Sequence, residues 1–148
     1  MKEKVLFHGS PYKLKGSVLK PSQGDDSKER PENSLFGVYA SDRKDFAIAM
    51  AILSCKGVIG GSIEGFTKTS INAKIYGPLP KKKFIYLYSL PANTFRPTKS
   101  IAHQYISSVP VKALLVEKLA ISDHVRLLKK ATKDETKKWL AKYGASKK

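Results

Sequence analysis

Residues 36–55 read FGVYASDRKDFAIAMAILSC and decide the fold class, because a strand pattern changes to a helix pattern within a few positions. The short apolar run at residues 36–40 predicts a strand. The small and large apolar side chains that follow predict a helix packed closely against a sheet. Ser41 is expected to cap this helix, and Asp42 and Asp45 would lie favourably near its positive N-terminus.

Further strand patterns lie on both sides of this unit. Before it, the apolar residues 4–8 are followed by Gly9, Ser10 and Pro11, so a strand is expected to end at His8. After it come four apolar runs separated by Gly, Pro and polar turns, namely VIGGSIEGF, SINAKIYG, KFIYLYSL and VKALLVEKLA. These runs predict a mainly antiparallel sheet, with KFIYLYSL as a central strand because both of its faces are apolar. An α+β fold follows.

The C-terminal region carries the signals of a helix over residues 132–143. Thr132 and Glu135 have the spacing of a capping box, and Gly144 provides a stop. Trp139 lies on the apolar face of this helix, so it is expected to anchor the helix to the rest of the domain. The two helices would therefore flank the sheet.

The length of 148 residues is that of one domain, so a single domain over residues 1–148 is expected. One stretch inside it, residues 21–34 (PSQGDDSKERPENS), has almost no apolar side chain and contains two prolines. Such a composition predicts an exposed, mobile loop. The loop would either cover a pocket or have no part in function.

Net charge is the strongest compositional feature, since 28 Lys and Arg against 12 Asp and Glu leave +16. A surplus of this size favours anionic partners, and nucleic acid is the first to consider. Much of the charge lies in lysine-rich runs at residues 81–83, 129–138 and 147–148, which equally fit solvated faces without a partner. Both interpretations stay open.

Several classes of protein are not expected. The single cysteine, Cys55, cannot form an internal disulfide and is expected in the core, and three scattered histidines lack the spacing of a zinc site. No metal is therefore predicted. The apolar runs are too short for a signal sequence or a membrane span, so cytoplasmic residence is expected. Phosphate-binding loops of the common nucleotide-binding types are absent from the sequence.

Three segments taken together resemble a known family. They are LFHGSP at residues 6–11, GVYAS at residues 37–41 leading into the Ala-rich helix, and HQYISSVPVKALLVEKL at residues 103–119. Their order and spacing resemble small bacterial and phage proteins of the ADP-ribosyltransferase superfamily, of the His-Tyr-Glu type. The resemblance implies a split antiparallel β core with flanking helices, and NAD as substrate without a metal.

The resemblance also implies roles for individual residues. His8 would hydrogen-bond the adenosine ribose of NAD, the Gly9 backbone would approach the nicotinamide amide, and Ser10 would line the same pocket. Tyr39 would stack on the nicotinamide ring. Ser41 would bind the carboxamide, unless it acts only as the helix cap.

The third position of the family pattern is Gln104 in this chain, where active members commonly have Glu. Because a neutral amide cannot supply the negative charge of a carboxylate, Gln104 predicts slow transfer, a different transfer chemistry or none. A register shift of one residue would place His103 or Tyr105 there instead. His8, Tyr39 and Gln104 are nevertheless the predicted catalytic set.

Three functions follow, in order of preference. The first is an NAD-dependent mono-ADP-ribosyltransferase, a glycosyl-group transferase whose acceptor the sequence does not identify. The second is a non-catalytic basic module on the same fold that binds nucleotides or nucleic acid. The third is a tRNA 2′-phosphotransferase-like enzyme, which is less favoured because that branch is expected to carry a second His where this chain has Tyr39.

Overall fold

The structure, a computed structural model, describes residues 4–23, 36–99 and 101–143 and has a mixed α+β fold. Its helices are α1 (Lys44–Leu53) and α2 (Lys133–Tyr143). Its strands are β1 (Val5–Ser10), β2 (Val18–Leu19), β3 (Ser22–Gln23), β4 (Phe36–Ser41), β5 (Gly60–Phe66), β6 (Ile71–Tyr76), β7 (Phe84–Pro91), β8 (Phe95–Pro97), β9 (Gln104–Ser107), β10 (Val111–Lys112), β11 (Leu115–Ala120) and β12 (Leu128–Lys130).

Seven strands form the main sheet, in the order β11-β7-β1-β4-β9-β8, with β3 paired to β4. Strands β5, β6 and β12 form a second sheet, and β2 pairs with β10. Every pair is antiparallel except β12 with β6. The prediction of a mainly antiparallel sheet is confirmed.

The main sheet is nearly divided between β1 and β4. The ladder between these strands has one pair, Phe7 with Ser41, whereas β1 makes six pairs with β7 and β4 makes four with β9. At its other end β4 pairs with β3 through Gly37. The edge of β4 between these contacts therefore faces a gap in the sheet.

Helix α1 packs on one face of the main sheet, chiefly over β1. Its buried side chains pack together with those of the second sheet, so the helix lies between two layers. Residues on all sides of the helix are buried for this reason, namely Phe46, Ala47, Ile48, Ala49, Ala51 and Ile52. The prediction of a helix in close contact with a sheet is confirmed, and Cys55, which follows it, is buried as expected. Burial also raises the pKa of the Cys55 thiol.

The opposite face of the main sheet has its own apolar core. Leu6, Val38 and Tyr88 pack there against Leu19 of β2 and Val111 of β10. Strand β7 contributes to both cores because its side chains alternate between them and are buried on both sides. Its position between β11 and β1 confirms the prediction of an inner strand.

Two expectations about the ends of β1 and α1 are wrong. Strand β1 continues through Gly9 to Ser10, because β7 provides pairing partners for all six of its residues, and His8 therefore lies inside the strand. Ser41 is the last residue of β4 and not the helix cap; Arg43 holds that position. The Ser41 hydroxyl still accepts a hydrogen bond from the Arg43 backbone N–H, at 3.0 Å.

The run VKALLVEKLA forms two strands instead of one. Its first residues pair with β2 as β10, and its later residues pair with β7 as β11. Between them, the Ala113 N–H donates to the Ser17 carbonyl and the Leu114 N–H donates to the Ser89 carbonyl. The chain therefore changes partners at these two residues, which a continuous apolar pattern does not reveal.

Helix α2 is attached to the second sheet through Trp139. The indole ring stacks on Tyr76 with the ring centroids 5.3 Å apart, and it covers Gly60, where any side chain would collide with the ring. The capping box is present, since the Glu135 N–H donates to the Thr132 hydroxyl and the Thr132 N–H donates to the Glu135 carboxylate. The predicted helix and its anchor are confirmed, while Gly144 lies outside the described residues.

Acidification should loosen α2. Glu135 accepts hydrogen bonds from Lys74 and from Thr132, and these partners lower its pKa from 4.5 to about 2. Because the folded pKa is depressed, the stability from this carboxylate is complete above about pH 4.5 and is lost as the pH falls toward 2. Trp139 is the only tryptophan, so its fluorescence should change over this range. In Glu135→Gln that change should be absent; an identical titration would contradict the assignment.

Of the predicted loop at residues 21–34, Ser22 and Gln23 form β3, which corrects that end of the loop because these residues pair with β4. Residues 24–34 lie outside the described part of the chain. Within the described residues, no helix is long and apolar enough to cross a membrane.

Candidate functional site

The gap between β1 and β4 opens into a cavity of about 120 Å³. His8, Tyr39 and Gln104 all line it, from three neighbouring strands of the main sheet. The structure therefore brings together the three side chains that the sequence singled out. None of the residues that line this cavity carries a carboxylate or an ammonium group.

His8 bridges the gap with its side chain. The β1–β4 ladder does not continue past the pair of Phe7 and Ser41. Instead, the His8 Nδ1 lies 2.6 Å from the Tyr39 carbonyl oxygen of β4. A carbonyl oxygen can only accept a hydrogen bond, so Nδ1 carries the proton and the neutral ring has an unprotonated Nε2. Nε2 has no hydrogen-bond partner among the described residues. His8 thus presents a hydrogen-bond acceptor beside the cavity.

His8 should remain neutral at neutral pH. Burial lowers its pKa below 6.5, and the hydrogen bond to the Tyr39 carbonyl opposes this only in part. Because the folded chain resists a proton that the unfolded chain accepts, the free energy of unfolding should fall as the pH drops below 6.5. Nuclear magnetic resonance should show a His8 midpoint below 6.5 and a protonated Nδ1 in the neutral form. A midpoint above 6.5 would contradict the described burial.

Tyr39 and Ser41 lie on the face of β4 that carries α1. The pairing places Ser41 opposite Phe7 on one side and opposite Gln104 on the other, and all of these residues line the cavity. Tyr39 is half-buried, whereas Ser41 is buried with its hydroxyl bonded to the Arg43 N–H. An aromatic ring and a hydroxyl therefore lie on the same wall.

Gly9 and Ser10 differ in how they relate to the cavity. Gly9 lines it, and α1 approaches so closely that an added Cβ would collide with the Ala47 carbonyl oxygen and lie 2.8 Å from the Ala51 Cβ. Helix packing alone therefore accounts for a glycine at this position. Ser10 does not line the cavity; it is buried, and its hydroxyl accepts a hydrogen bond from the Tyr12 N–H at 3.1 Å.

Gln104 is 8% exposed and begins β9. The Thr98 hydroxyl donates to its side-chain oxygen at 3.1 Å, and this contact orients the amide. The amide nitrogen has no hydrogen-bond partner among the described residues, so a buried donor group remains available in a residue that lines the cavity. Of the three residues considered for the third position of the family pattern, Gln104 lines the cavity, whereas His103 and Tyr105 do not.

One wall of the cavity comes from α1, for which the sequence predicted only packing against the sheet. Phe46, Ala47, Met50 and Ser54 lie along it. The last three are spaced by three and four positions, so they share one side of a helix. This periodicity was the available signal, but a buried apolar helix face has the same pattern, so the sequence could not separate the two.

A larger and shallower groove of about 510 Å³ lies away from these residues, beside α2. It is lined by Lys130, Lys133 and Lys137, with Pro78 and Leu140 among the apolar residues. None of the three lysines forms an ion pair with a residue that the structure describes. The groove contains no histidine, carboxylate or aromatic ring, so the smaller cavity is the better candidate for chemistry.

The side chains that commonly bind metals do not cluster in the described ranges. No group of three or more His, Cys, Asp or Glu side chains lies close enough together there to hold a metal ion. The cavity itself offers one imidazole, one phenol, one hydroxyl and one amide as polar side-chain groups that could contact a ligand, besides the Ser54 hydroxyl, which donates to the Met50 carbonyl.

Comparisons with other proteins do not identify a relative. No protein-family model matches the chain, no curated protein matches it, and no solved structure matches it.

Proposed function

We propose that the chain binds NAD at this cavity and transfers ADP-ribose from it to an acceptor, as an ADP-ribosyltransferase-like domain. The observation that carries the proposal is the convergence of His8, Tyr39 and Gln104 on one cavity at a gap in the sheet. A sheet divided into two halves beside such a cavity also agrees with the split β core that the resemblance implies.

The size of the cavity suits one ring of NAD. An engineered cavity of about 150 Å³ encloses benzene, whereas sites for larger ligands occupy roughly 300–1,000 Å³. At about 120 Å³, this cavity is slightly smaller than the one that encloses benzene, so it would hold the nicotinamide ring in part and leave most of the dinucleotide outside. Tyr39 would provide a flat surface for that ring.

Two groups would hold the rest of the ligand. The unprotonated Nε2 of His8 would accept a hydrogen bond from a ribose hydroxyl. Lys44, the first residue of α1, has its ammonium group 5.4 Å from the centre of the Phe7 ring, and Phe7 lines the cavity. This positive charge at the start of a helix favours a diphosphate nearby.

The chemistry would be substitution at the ribose carbon bonded to nicotinamide. That bond breaks, nicotinamide leaves with the electron pair, and the acceptor forms a new bond to the carbon while losing a proton. Positive charge develops on the ribose, yet no carboxylate lines the cavity. The proposal therefore includes slow turnover, because a neutral amide stabilises such charge less than a carboxylate does.

Calorimetry with NAD and release of labelled nicotinamide test the proposal, with RNA, DNA and cell extract offered as acceptors. Binding should weaken about tenfold or more in His8→Ala and Tyr39→Ala, as expected when a hydrogen bond or a stacked ring is lost. His124→Ala and Tyr12→Ala are the matched controls, because neither residue lines the cavity. Absence of both NAD binding and nicotinamide release in the unaltered chain would contradict the proposal.

The lysine groove beside α2 favours a second function, which is binding of nucleic acid. Lys130, Lys133 and Lys137 converge on one concave surface, and the chain carries +16. Each contact between a lysine and a phosphate releases counterions, so binding should weaken with salt. This function is compatible with the cavity, since the two sites share no lining residue.

Fluorescence anisotropy with a single-stranded RNA between 50 and 200 mM salt tests this second function. Replacing the three groove lysines with Gln should reduce the slope of log K against log[salt] by about 2, at roughly 0.7 per phosphate contact. The triple replacement at residues 81–83 removes the same charge elsewhere on the surface. Equal effects of the two replacements would show that the groove is not a specific site.

A further inference from the structure

His103 and Asp42 form a hydrogen-bonded pair next to two residues that line the cavity. The His103 Nδ1 lies 2.9 Å from the Asp42 Oδ1. Asp42 follows Ser41, and His103 precedes Gln104; Ser41 and Gln104 are opposite each other in the ladder and both line the cavity. The pair is therefore at the same end of β4 and β9 as the proposed reaction site.

The His103 ring is held in place from several sides. Its backbone has φ of 65°, a left-handed conformation that is uncommon for residues other than glycine. The ring packs edge-on against Phe66, with centroids 4.8 Å apart, and Phe66 in turn packs against Phe46 of the cavity wall. A residue kept in such a conformation by its surroundings is typical of functional sites.

Asp42 is also fixed by a second contact. The Tyr105 hydroxyl donates to its other carboxylate oxygen at 3.4 Å, and Lys4 donates to the Tyr105 hydroxyl at 2.9 Å. A carboxylate can only accept, so it holds His103 with the proton on Nδ1 and leaves Nε2 unprotonated in the neutral ring. Nε2 has no hydrogen-bond partner among the described residues, and the His103 side chain is 37% exposed.

We propose that His103 is the general base that removes the proton from the acceptor, with Asp42 as its positioning residue. This inference rests on the proposed function. An acceptor hydroxyl or amino group would give its proton to Nε2 as its oxygen or nitrogen bonds to the ribose carbon. The bond between that carbon and nicotinamide breaks at the same centre, and nicotinamide leaves with the electron pair. The proton then passes from His103 to water.

The arrangement separates two tasks between two histidines. His8 is half-buried, neutral and bonded to a carbonyl, which suits binding of the ligand. His103 is exposed and bonded to a carboxylate, which stabilises the imidazolium that forms when a base accepts a proton. The acceptor class that fits is a neutral hydroxyl or amine that must lose a proton to react, with water as the simplest example.

His103→Gly is the decisive variant, because glycine adopts a positive φ without strain and removes only the side chain. NAD affinity, measured by calorimetry, should stay within about twofold of the unaltered chain. Nicotinamide release into water or to the acceptor should fall roughly 10²–10⁴-fold, the usual contribution of a general base. Imidazole added to the solution should restore part of this rate, which a purely structural role would not allow.

His103→Gln and Asp42→Asn complete the test. The Gln side chain can still donate to Asp42 but cannot take up a proton, so its rate should be as low as that of His103→Gly. Asp42→Asn should lower the rate by less, and His124→Gln should leave it unchanged. Provided that the unaltered chain turns over NAD, a full rate in either His103 variant would overturn the inference. So would a low rate of His103→Gly that added imidazole does not raise. Absence of that turnover would overturn the proposed function itself.

Discussion

Replacing Gly9 with alanine should destabilise the domain by about 3 kcal/mol or more, the upper range for overpacking in a filled core. The added methyl group would overlap the Ala47 carbonyl oxygen of α1, and backbone atoms cannot turn away as a flexible side chain can. The strand also cannot move away from α1, because β1 is paired along its whole length with β7. Only a separation of α1 from the sheet would relieve the collision.

Denaturant unfolding of Gly9→Ala beside Gly65→Ala measures this effect. Gly65 also lies in a strand, but nothing is within 4 Å of an added Cβ there. Its replacement should change the free energy of unfolding by no more than about 1 kcal/mol, and in the stabilising direction if the unfolded chain loses entropy. Equal stability of the two variants would mean that α1 does not approach β1 as described.

Gln104→Glu should raise nicotinamide release about a hundredfold if the cavity performs the proposed transfer. One well-placed electrostatic stabiliser typically contributes about 3 kcal/mol to a transition state. The new carboxylate would lie where positive charge develops on the ribose, and the Thr98 hydroxyl, 3.1 Å from the present amide oxygen, could still donate to it. No other carboxylate lines the cavity, so its effect should not be masked.

Gln104→Leu is the matched control for this variant, because it has a similar size but no polar group. Release by this control should not exceed that of the unaltered chain. Thermal unfolding of both variants would show what it costs to bury the carboxylate. If Gln104→Glu binds NAD normally and releases nicotinamide no faster, Gln104 does not contact the reacting ribose and its assignment to the third position of the pattern is wrong.

The elements that the sequence predicted well are those specified by local signals. The strand at residues 36–40, α1 and the capping box of Thr132 and Glu135 depend on side chains a few positions apart. Trp139 could be assigned as an anchor because it is the largest apolar side chain on the apolar side of a charged helix. These local signals do not depend on the conformation of distant segments of the chain.

The errors arose where distant segments decide the outcome. Gly9 and Ser10 have the composition of a turn, yet pairing with β7 keeps them extended and the approach of α1 requires the glycine. Ser41 has the composition of a helix cap, yet its pairing with Gln104 keeps it in the sheet. The preferences of single residues amount to fractions of a kcal/mol up to about 1 kcal/mol, so a ladder of strand pairs overrides them.

Most of the predicted residues of the candidate site line the cavity, but Ser10 does not, and the surroundings of the site were not anticipated. His8, Tyr39 and Gln104 were selected by a resemblance that spans more than ninety positions, and they line one cavity. The pair formed by Asp42 and His103 was not anticipated, because the two residues are 61 positions apart and meet only through the register of β4 and β9. Contacts of this kind depend on how the two strands pair, and neither segment alone indicates them.

The junction between β1 and β4 has the fewest strand pairs in the main sheet, so we expect the two halves of the sheet to separate there first. A molecule bound there would contact both halves of the sheet at once and hold them together. Its binding energy would therefore appear as resistance to heat and to mechanical extension across the junction. A rise in melting temperature would thus reveal a ligand of the folded domain before any turnover had been detected.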